Sequence, residues 1–394
     1  MGNETGTVTL KPHEDKRIRS GHLWIFSNEI ASVDGGVDVG DTVLVRDARG
    51  HLLGTGYMNP HSLIAVRLVS RSKVEISREF LARRIAQALD YRARVWPGDR
   101  AYRAVYGDAD LLPGLIVDRY GDCLVVQSLT AGVERRLDLI VEVLTELLNP
   151  RSVVIRNDSP MRSYEGLPIE KRVALGTVDG PIPIEQDGHR FLVDVIDGQK
   201  TGFFLDQREN REATAALARG ADVLDCCSYT CAWSVYAASA GAKSITAIDT
   251  SAPALDLGRR NLEENGAAEG AVLVGGDVFK ELAKMSRSRR LFGLVVLDPP
   301  AFAKSRKRVR EALKAYRTVN RLALSVTRRG GHLVTSKCSH LVDRESFLNA
   351  LVAAAREAGR RARVIEVRGQ SADHPIALGF PETDYLTCVV LEVL

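Results

Sequence analysis

Two stretches decide the fold: Val223-Leu224-Asp225-Cys226-Cys227-Ser228-Tyr229-Thr230 and, one helix-length later, Ser244-Ile245-Thr246-Ala247-Ile248-Asp249. Each holds an apolar run that meets a carboxylate. A strand with one wet face alternates polar and apolar side chains, whereas an unbroken apolar run is buried on both faces. The pattern recurs in Val272-Leu273-Val274, Leu294-Val295-Val296-Leu297-Asp298 and His332-Leu333-Val334-Thr335, with helical patterns between. Strands alternating with helices predict a parallel, doubly wound α/β sheet over residues 181–394. Ligands of such sheets sit at the carboxyl ends of the strands.

Before this region the chain changes character twice. Residues 1–73 read as a small β module of short strands, with Val8-Thr9-Leu10, Asp41 to Arg46 and Leu63 to Leu68 as strands and Asp47-Ala48-Arg49-Gly50 as a hairpin turn. Basic and aromatic residues mix there, in Lys16, Arg17, Arg19, His22, Trp24 and Phe26. That mix suits either an RNA-binding face or a solvated face above a core tryptophan. Residues 74–180 read as an α+β middle domain, with amphipathic helices over 78–96 and 133–148 and strands at 114–118 and 123–127. No internal repeat or low-complexity segment interrupts the chain.

At 394 residues, with 45% hydrophobic and 26% charged side chains, the composition is that of a globular protein of two or three domains at roughly 150 residues each. A formal charge of +4 permits a polyanionic partner without requiring one. No apolar run approaches the ~18 residues of a membrane span, and the start has no signal-peptide pattern. Six cysteines, three of them clumped at 226, 227 and 231, do not form a disulfide framework, so a reduced, cytoplasmic enzyme is expected. No Cys or His lies near enough in the chain to complete a tetrahedral site around that clump, so no metal is expected.

The candidate chemistry lies where the strands end. Asp249, roughly twenty residues beyond the first turn, is placed to accept both ribose hydroxyls of a nucleoside cofactor, or else to cap the following helix. Gly276-Asp277 suits an adenine amino group. The first turn, 225–233, contains no glycine, which argues against a dinucleotide pyrophosphate. In Asp298-Pro299-Pro300-Ala301-Phe302 the prolines force the chain out of the sheet, leaving the carboxylate to face a planar base edge. Cys338 follows the fifth strand, where Lys337 and a helix start near 342 could favour its thiolate. Lys304, Arg306, Lys307, Arg308 and Arg310 form a basic run able to hold phosphates, or merely a solvated face.

Several segments together resemble the large-subunit ribosomal RNA cytosine-C5 methyltransferases of the methyltransferase I type. They are Gly21 to Ile30, Gly198 to Arg208, Ser228-Tyr229-Thr230, Asp298 to Lys304, Cys338-Ser339-His340 and Phe380 to Leu386. The eleven residues from Gly198 to Arg208 are highly specific; Asp-Pro-Pro alone is not. The resemblance implies an N-terminal PUA RNA-binding module, a central α+β domain and a class I, Rossmann-like domain using S-adenosylmethionine. It implies that Lys200, Thr201, Gly202, Phe204, Gln207 and Arg208 flank the cofactor, that Asp225, Ser228, Tyr229 and Thr230 line it, and that Asp249 and Asp277 take its ribose and adenine. Cys338 would be the nucleophile. Where the family usually has Leu-Phe and Gly-Gly in the first turn, this chain has Cys226-Cys227 and Cys231-Ala232; the Cys231 side chain is therefore expected to enter the turn that approaches the cofactor.

The chemistry implied is addition of a thiolate to cytosine C6, which makes C5 nucleophilic, with Asp298 holding the base at N3 or its exocyclic amine. The base must be unpaired or flipped out. Ribosomal RNA (23S) is the expected partner, with Arg19, His22 and the basic run contacting it; a homodimer is compatible with the sequence. Two other functions compete: methylation of a base nitrogen, and a non-catalytic RNA-binding assembly factor with a degenerate cofactor turn.

Overall fold

A computed structural model describes residues 6–303 and 305–394. Lys304 of the basic run lies outside the described residues. The chain divides into two compact units.

The first unit takes the chain up to Ile184 together with Val193–Leu205 and Ala372–Thr383. Its N-terminal part is a six-stranded sheet, ordered Trp24–Phe26, Ile64–Ser70, Leu52–Met58, Thr42–Arg46, Gly6–Leu10, Ile30–Asp34. A second sheet of five strands, Glu170–Leu175, Ser152–Asn157, Cys123–Ser128, Leu115–Tyr120 and Ala101–Tyr106, packs beneath helices Arg78–Val95 and Leu137–Leu148. Buried contacts join the two parts. Glu165 accepts hydrogen bonds from Asn59 Nδ2 (3.0 Å), Ser62 Oγ (2.9 Å) and Arg67 Nη1 (2.7 Å), and the Tyr57 ring lies so close to Gly132 that a Cβ there would meet it at 2.0 Å.

The sequence boundary at 181 assigned residues 193–205 and 372–383 to the C-terminal domain. The structure instead ties them to the first unit. The Thr201 hydroxyl donates to Asp118 (2.6 Å), Arg156 donates to the carbonyls of Val195 and Gly198, and Asp373 accepts the backbone N–H of Arg103 (2.8 Å).

The second unit is built on seven strands: β1 (Asp222–Cys226), β2 (Ser244–Asp249), β3 (Ala271–Gly275), β4 (Phe292–Leu297), β5 (Thr327–Cys338), β6 (Ala362–Arg368) and β7 (Leu386–Val393). Their order is 3-2-1-4-5-7-6. The helices are α1 (Arg208–Ala215), α2 (Ala232–Ser239), α3 (Ala252–Glu264), α4 (Val278–Arg287), α5 (Val309–Val326) and α6 (Arg344–Glu357). Successive residues of each central strand feed opposite cores. Leu224, Val295, Leu297 and Leu333 join one cluster with Tyr316 and Phe347, while Val223, Leu294, Val296 and Val334 join the other with Trp233. Burial on both faces is why these runs are continuous. The five expected strands pair in parallel, and two further strands extend the sheet, with β7 antiparallel to both β5 and β6. The switch point between β1 and β4, where helices leave in opposite directions, sets the carboxyl-end crevice.

Candidate active site

The first turn solves the absence of glycine by strain. Cys227 (φ 60°), Tyr229 (φ 48°) and Cys231 (φ 62°) all adopt the left-handed conformation, which costs a non-glycine residue about 1–2 kcal/mol. Hydrogen bonds hold it there: Ser228 N–H to Ile248 O (3.0 Å), Cys231 N–H to Ser228 O (2.8 Å), and Asn261 Nδ2 of α3 to Thr230 O (3.0 Å). The Cys231 side chain packs between the turn and α3, its Sγ 4.0 Å from Ser228 Oγ. It is fully buried and points to α3, where a Cβ on Gly258 would meet its Sγ at 2.6 Å. Gly258 is the space into which a side chain at 231 can go.

Asp249 closes β2 and braces this turn. Its Oδ2 accepts the Tyr229 N–H (2.9 Å) and its Oδ1 the Ser251 N–H (2.9 Å). Capping of α3 falls to Ser251, whose Oγ accepts Ala254 N–H (3.3 Å), so Asp249 is not the helix cap. Asp277, exposed after β3, does cap α4, accepting the Lys280 N–H (3.0 Å).

Asp225 is fully buried at the end of β1. One oxygen accepts from Ser234 Oγ (2.7 Å), whereas Oδ1 has no hydrogen-bond partner among the described residues. Burial, with repulsion from Asp298 and Asp249, pushes its carboxyl up to about 7. Thr230 Oγ1 is another buried polar atom without a hydrogen-bond partner among the described residues. Orphaned acceptors and crowded carboxylates fit a ligand that carries positive charge and hydroxyl donors, as S-adenosylmethionine does in its sulfonium, ammonium and ribose.

Asp298 leaves β4 at the Pro-Pro turn, half-buried. Gln207 Nε2 donates to its Oδ1 (2.9 Å) and Trp233 Nε1 reaches its Oδ2 (3.4 Å). Gln207 also donates to Ser336 Oγ (3.2 Å), and its Oε1 accepts from Asn210 Nδ2 (2.7 Å), which fixes which end of the amide faces Asp298. Asn210 is held in turn by Arg368 Nε on its Oδ1 (3.0 Å). Sequence reasoning named Gln207 as a cofactor contact and missed Asn210 and Arg368, which only the fold brings together.

Cys338 is the last residue of β5, half-buried, with its Sγ 3.7 Å from the carbonyl oxygen of Pro299. The nucleophile candidate and the Asp298-Pro299-Pro300 turn are therefore neighbours. Burial pushes up the thiols of Cys123, Cys226, Cys227, Cys231 and Cys388, which disfavours thiolate at each. Lys337 points away from Cys338 along the alternating strand, donating to the carbonyls of Ser339 (3.1 Å) and Tyr385 (3.2 Å). The helix expected near 342 starts at Arg344, capped by Asp343.

Several expected ligand contacts have other partners. Arg208 forms a buried ion pair with Asp187, which also accepts from the Tyr236 hydroxyl (2.5 Å). In the first unit, Thr201 is buried against Asp118 and Tyr120 (hydroxyls 2.9 Å apart). Gly202 there has φ 128° and no room for a Cβ, which would meet Val193 Cγ1 at 2.7 Å. Lys200 is exposed, its Nζ 4.4 Å from the Phe204 ring centroid. His22 is buried, with Nε2 3.2 Å from Glu382 and its ring edge-on to Phe380, so it cannot be an RNA-facing side chain. Arg19 is exposed but paired with Asp15 and Asp47. Arg306, Lys307 and Arg308 form an exposed turn before α5, and their side chains make no ion pair among the described residues.

Among the described residues no helix is long and apolar enough to cross a membrane. A PUA-like domain family matches residues 8–71, and the S-adenosylmethionine-dependent methyltransferase family matches residues 171–373. The chain is 38% identical to a ribosomal RNA large subunit methyltransferase I from Alteromonas mediterranea, covering 98% of both chains. It is 37% identical to one from Pseudoalteromonas translucida, covering 99% of this chain and 100% of the relative. Its fold is that of a Streptococcus mutans chain described as a candidate S-adenosylmethionine-dependent methyltransferase, with a TM-score of 0.84 at 22% identity over 98% and 99% of the two chains. Matched almost end to end by these relatives, the chain belongs to the ribosomal RNA large subunit methyltransferase I family, S-adenosylmethionine-dependent methyltransferases with an N-terminal PUA-like domain.

Proposed function

We propose that this chain methylates C5 of an unpaired or flipped-out cytosine in large-subunit ribosomal RNA, with Cys338 as the covalent nucleophile. The observation that carries the proposal is the placement of Cys338 Sγ beside the Asp298-Pro299-Pro300 turn. Asp225, Asp249 and the backbone of Ser228 to Thr230 would hold S-adenosylmethionine, whose sulfonium supplies an electrophilic methyl group.

Cytosine C5 is a weak nucleophile. The Cys338 thiolate forms a bond to C6, and the displaced π electrons make C5 an enamine carbon able to accept the methyl group. Loss of the C5 proton then restores the double bond and expels the thiolate, so one hard step becomes two easier ones. Asp298 holds the base edge at N3 or the exocyclic amine. Gln207 is its positioning residue, since its amide, oriented by Asn210 and Arg368, fixes one carboxylate oxygen. Arg306, Lys307 and Arg308 contact RNA phosphates.

Mass mapping of ribosomal RNA treated with the enzyme tests the reading: 5-methylcytosine should form with wild type and not with Cys338→Ala, which should still bind S-adenosylmethionine. A methylated base nitrogen would replace it with the nitrogen reading. Cofactor binding that is absent altogether would favour the assembly factor.

A further inference from the structure

We propose that the edge of the seven-stranded sheet at the amino ends of β1, β4, β5 and β6, opposite the candidate active site, is a second docking surface for RNA phosphate backbone. It rests on the reading of this chain as an RNA enzyme, and it concerns residues that the chemistry does not use.

The turns that open these strands are arginine-rich. Arg219 precedes β1, Arg289 precedes β4, Arg328 and Arg329 stand in the irregular opening of β5, and Arg360 and Arg361 precede β6. Because β6 runs in the same direction as β5, all four turns reach the same edge. Phe292 pairs with Thr327 and Leu294 with His332, so residues 328–331 bulge from the ladder. The Arg328 guanidinium lies over Gly293, where a Cβ would meet its Nη2 at 2.8 Å and Ala221 at 2.9 Å, directly after Arg219-Gly220. On the far side, Leu394 N–H donates to Arg361 O (2.8 Å), tying the β6 turn to the end of β7. From β1 to β6 the row crosses four strand spacings, about 19 Å.

None of the six arginines makes an ion pair among the described residues, and five are exposed, Arg360 being half-buried. The acids near this edge are committed elsewhere: Asp222 faces Lys243, Glu357 faces Arg317, and Glu392 pairs with Arg363. Elsewhere arginines are extensively paired, as at Arg67, Arg92, Arg103, Arg156, Arg162 and Arg208. A row of unneutralised arginines repels itself and is relieved by a polyanion. The guanidinium fork suits phosphate oxygens better than a lysine point charge does. The row is too far from the carboxyl ends of the strands to hold the reacting nucleotide, so its ligand is the distant backbone of a folded RNA.

The test compares wild type with Arg219→Gln/Arg329→Gln/Arg360→Gln/Arg361→Gln, leaving Arg328 to pack on Gly293. Affinity is measured against salt for two probes, deproteinised large-subunit ribosomal RNA and a 12-nucleotide single strand. The expected result is a log-affinity versus log-salt slope flattened by up to about 3 units on the large RNA, at ~0.7 per lost contact, and unchanged on the short strand. An unchanged slope on the large RNA, or an equal loss on both probes, would overturn the proposal. The methylation reading fails separately, by absence of 5-methylcytosine from the wild-type reaction.

Discussion

Asp225 and Asp249 lie near the carboxyl ends of neighbouring strands, Asp225 opposite Ala247 and Asp249 two residues further on, and they differ in what surrounds them. Asp249 receives two backbone N–H groups, whereas Asp225 is fully buried, accepts from Ser234 and is crowded by the Asp298 and Asp249 carboxylates. Asp225, with its carboxyl held near 7 against 3.8 for the free group, binds its proton more tightly folded than unfolded. Its ionisation therefore removes stability as pH rises from about 4 to about 7, by at most about 1.4 kcal/mol per pH unit. Asp225→Asn should flatten that part of the stability profile, measured by urea unfolding between pH 4 and 8; parallel profiles would show that the carboxyl is already ionised. Asp249→Ala should weaken S-adenosylmethionine binding ten- to a hundredfold, as expected for losing about 1.5–3 kcal/mol of charged hydrogen bonding. Titration calorimetry reads this directly, and a full-affinity variant with a lowered melting temperature would make Asp249 only a brace for the Tyr229 turn.

At the level of elements, the glycine-free turn and α3 act as one unit. Gly258→Ala forces a methyl group onto Cys231 Sγ and should cost about 1–3 kcal/mol of stability. Cys231→Gly removes that side chain and the left-handed strain together, so the double variant should recover most of the loss. Simply additive losses in a double-mutant cycle would show that the two positions are not coupled. This contact marks a limit of reading the chain locally: residues 225–233 show that a side chain replaces glycine but not which way it points, and the answer lies at position 258. The central strands were legible because burial on both faces leaves Leu294 to Leu297 without a polar residue. Strand β6 was not, since an edge strand with exposed Val364 and Ile365 among charges has no recognisable period. His22 misled for a related reason: a mixture of basic and aromatic residues reads alike on an RNA-binding face and around a buried ring, and only Glu382 and Phe380, some 360 residues away, distinguish them. The strand-end positions of the carboxylates and of Cys338 were legible in the sequence, whereas the Gln207, Asn210 and Arg368 relay joins segments that have no sequence relation.

For the molecule as a whole, the PUA-like part is not a detachable anchor. Removing residues 1–73 would strip Tyr57 from Gly132 and leave Glu165 without three of its partners. Glu165→Ala, which leaves Arg67 unpaired in a buried site, should cost about 3–5 kcal/mol; a loss under 1 kcal/mol in chemical denaturation would mean that the network is dispensable. Neutralising Arg306, Lys307 and Arg308 together should flatten the salt dependence of single-stranded RNA binding by up to about 2 units, and an unchanged slope would reduce the run to a solvated face. The central claim is that Cys338 bonds to the target base before the methyl group moves. RNA carrying 5-fluorocytosine has no C5 proton to release, so the covalent intermediate should be trapped. Incubated with wild-type enzyme and S-adenosylmethionine, it should give a stable protein–RNA adduct whose crosslinked peptide contains Cys338, and the same adduct should form in variants with Ser at 226, 227 or 231. An adduct at another cysteine, or full methylation by Cys338→Ala, would contradict the account.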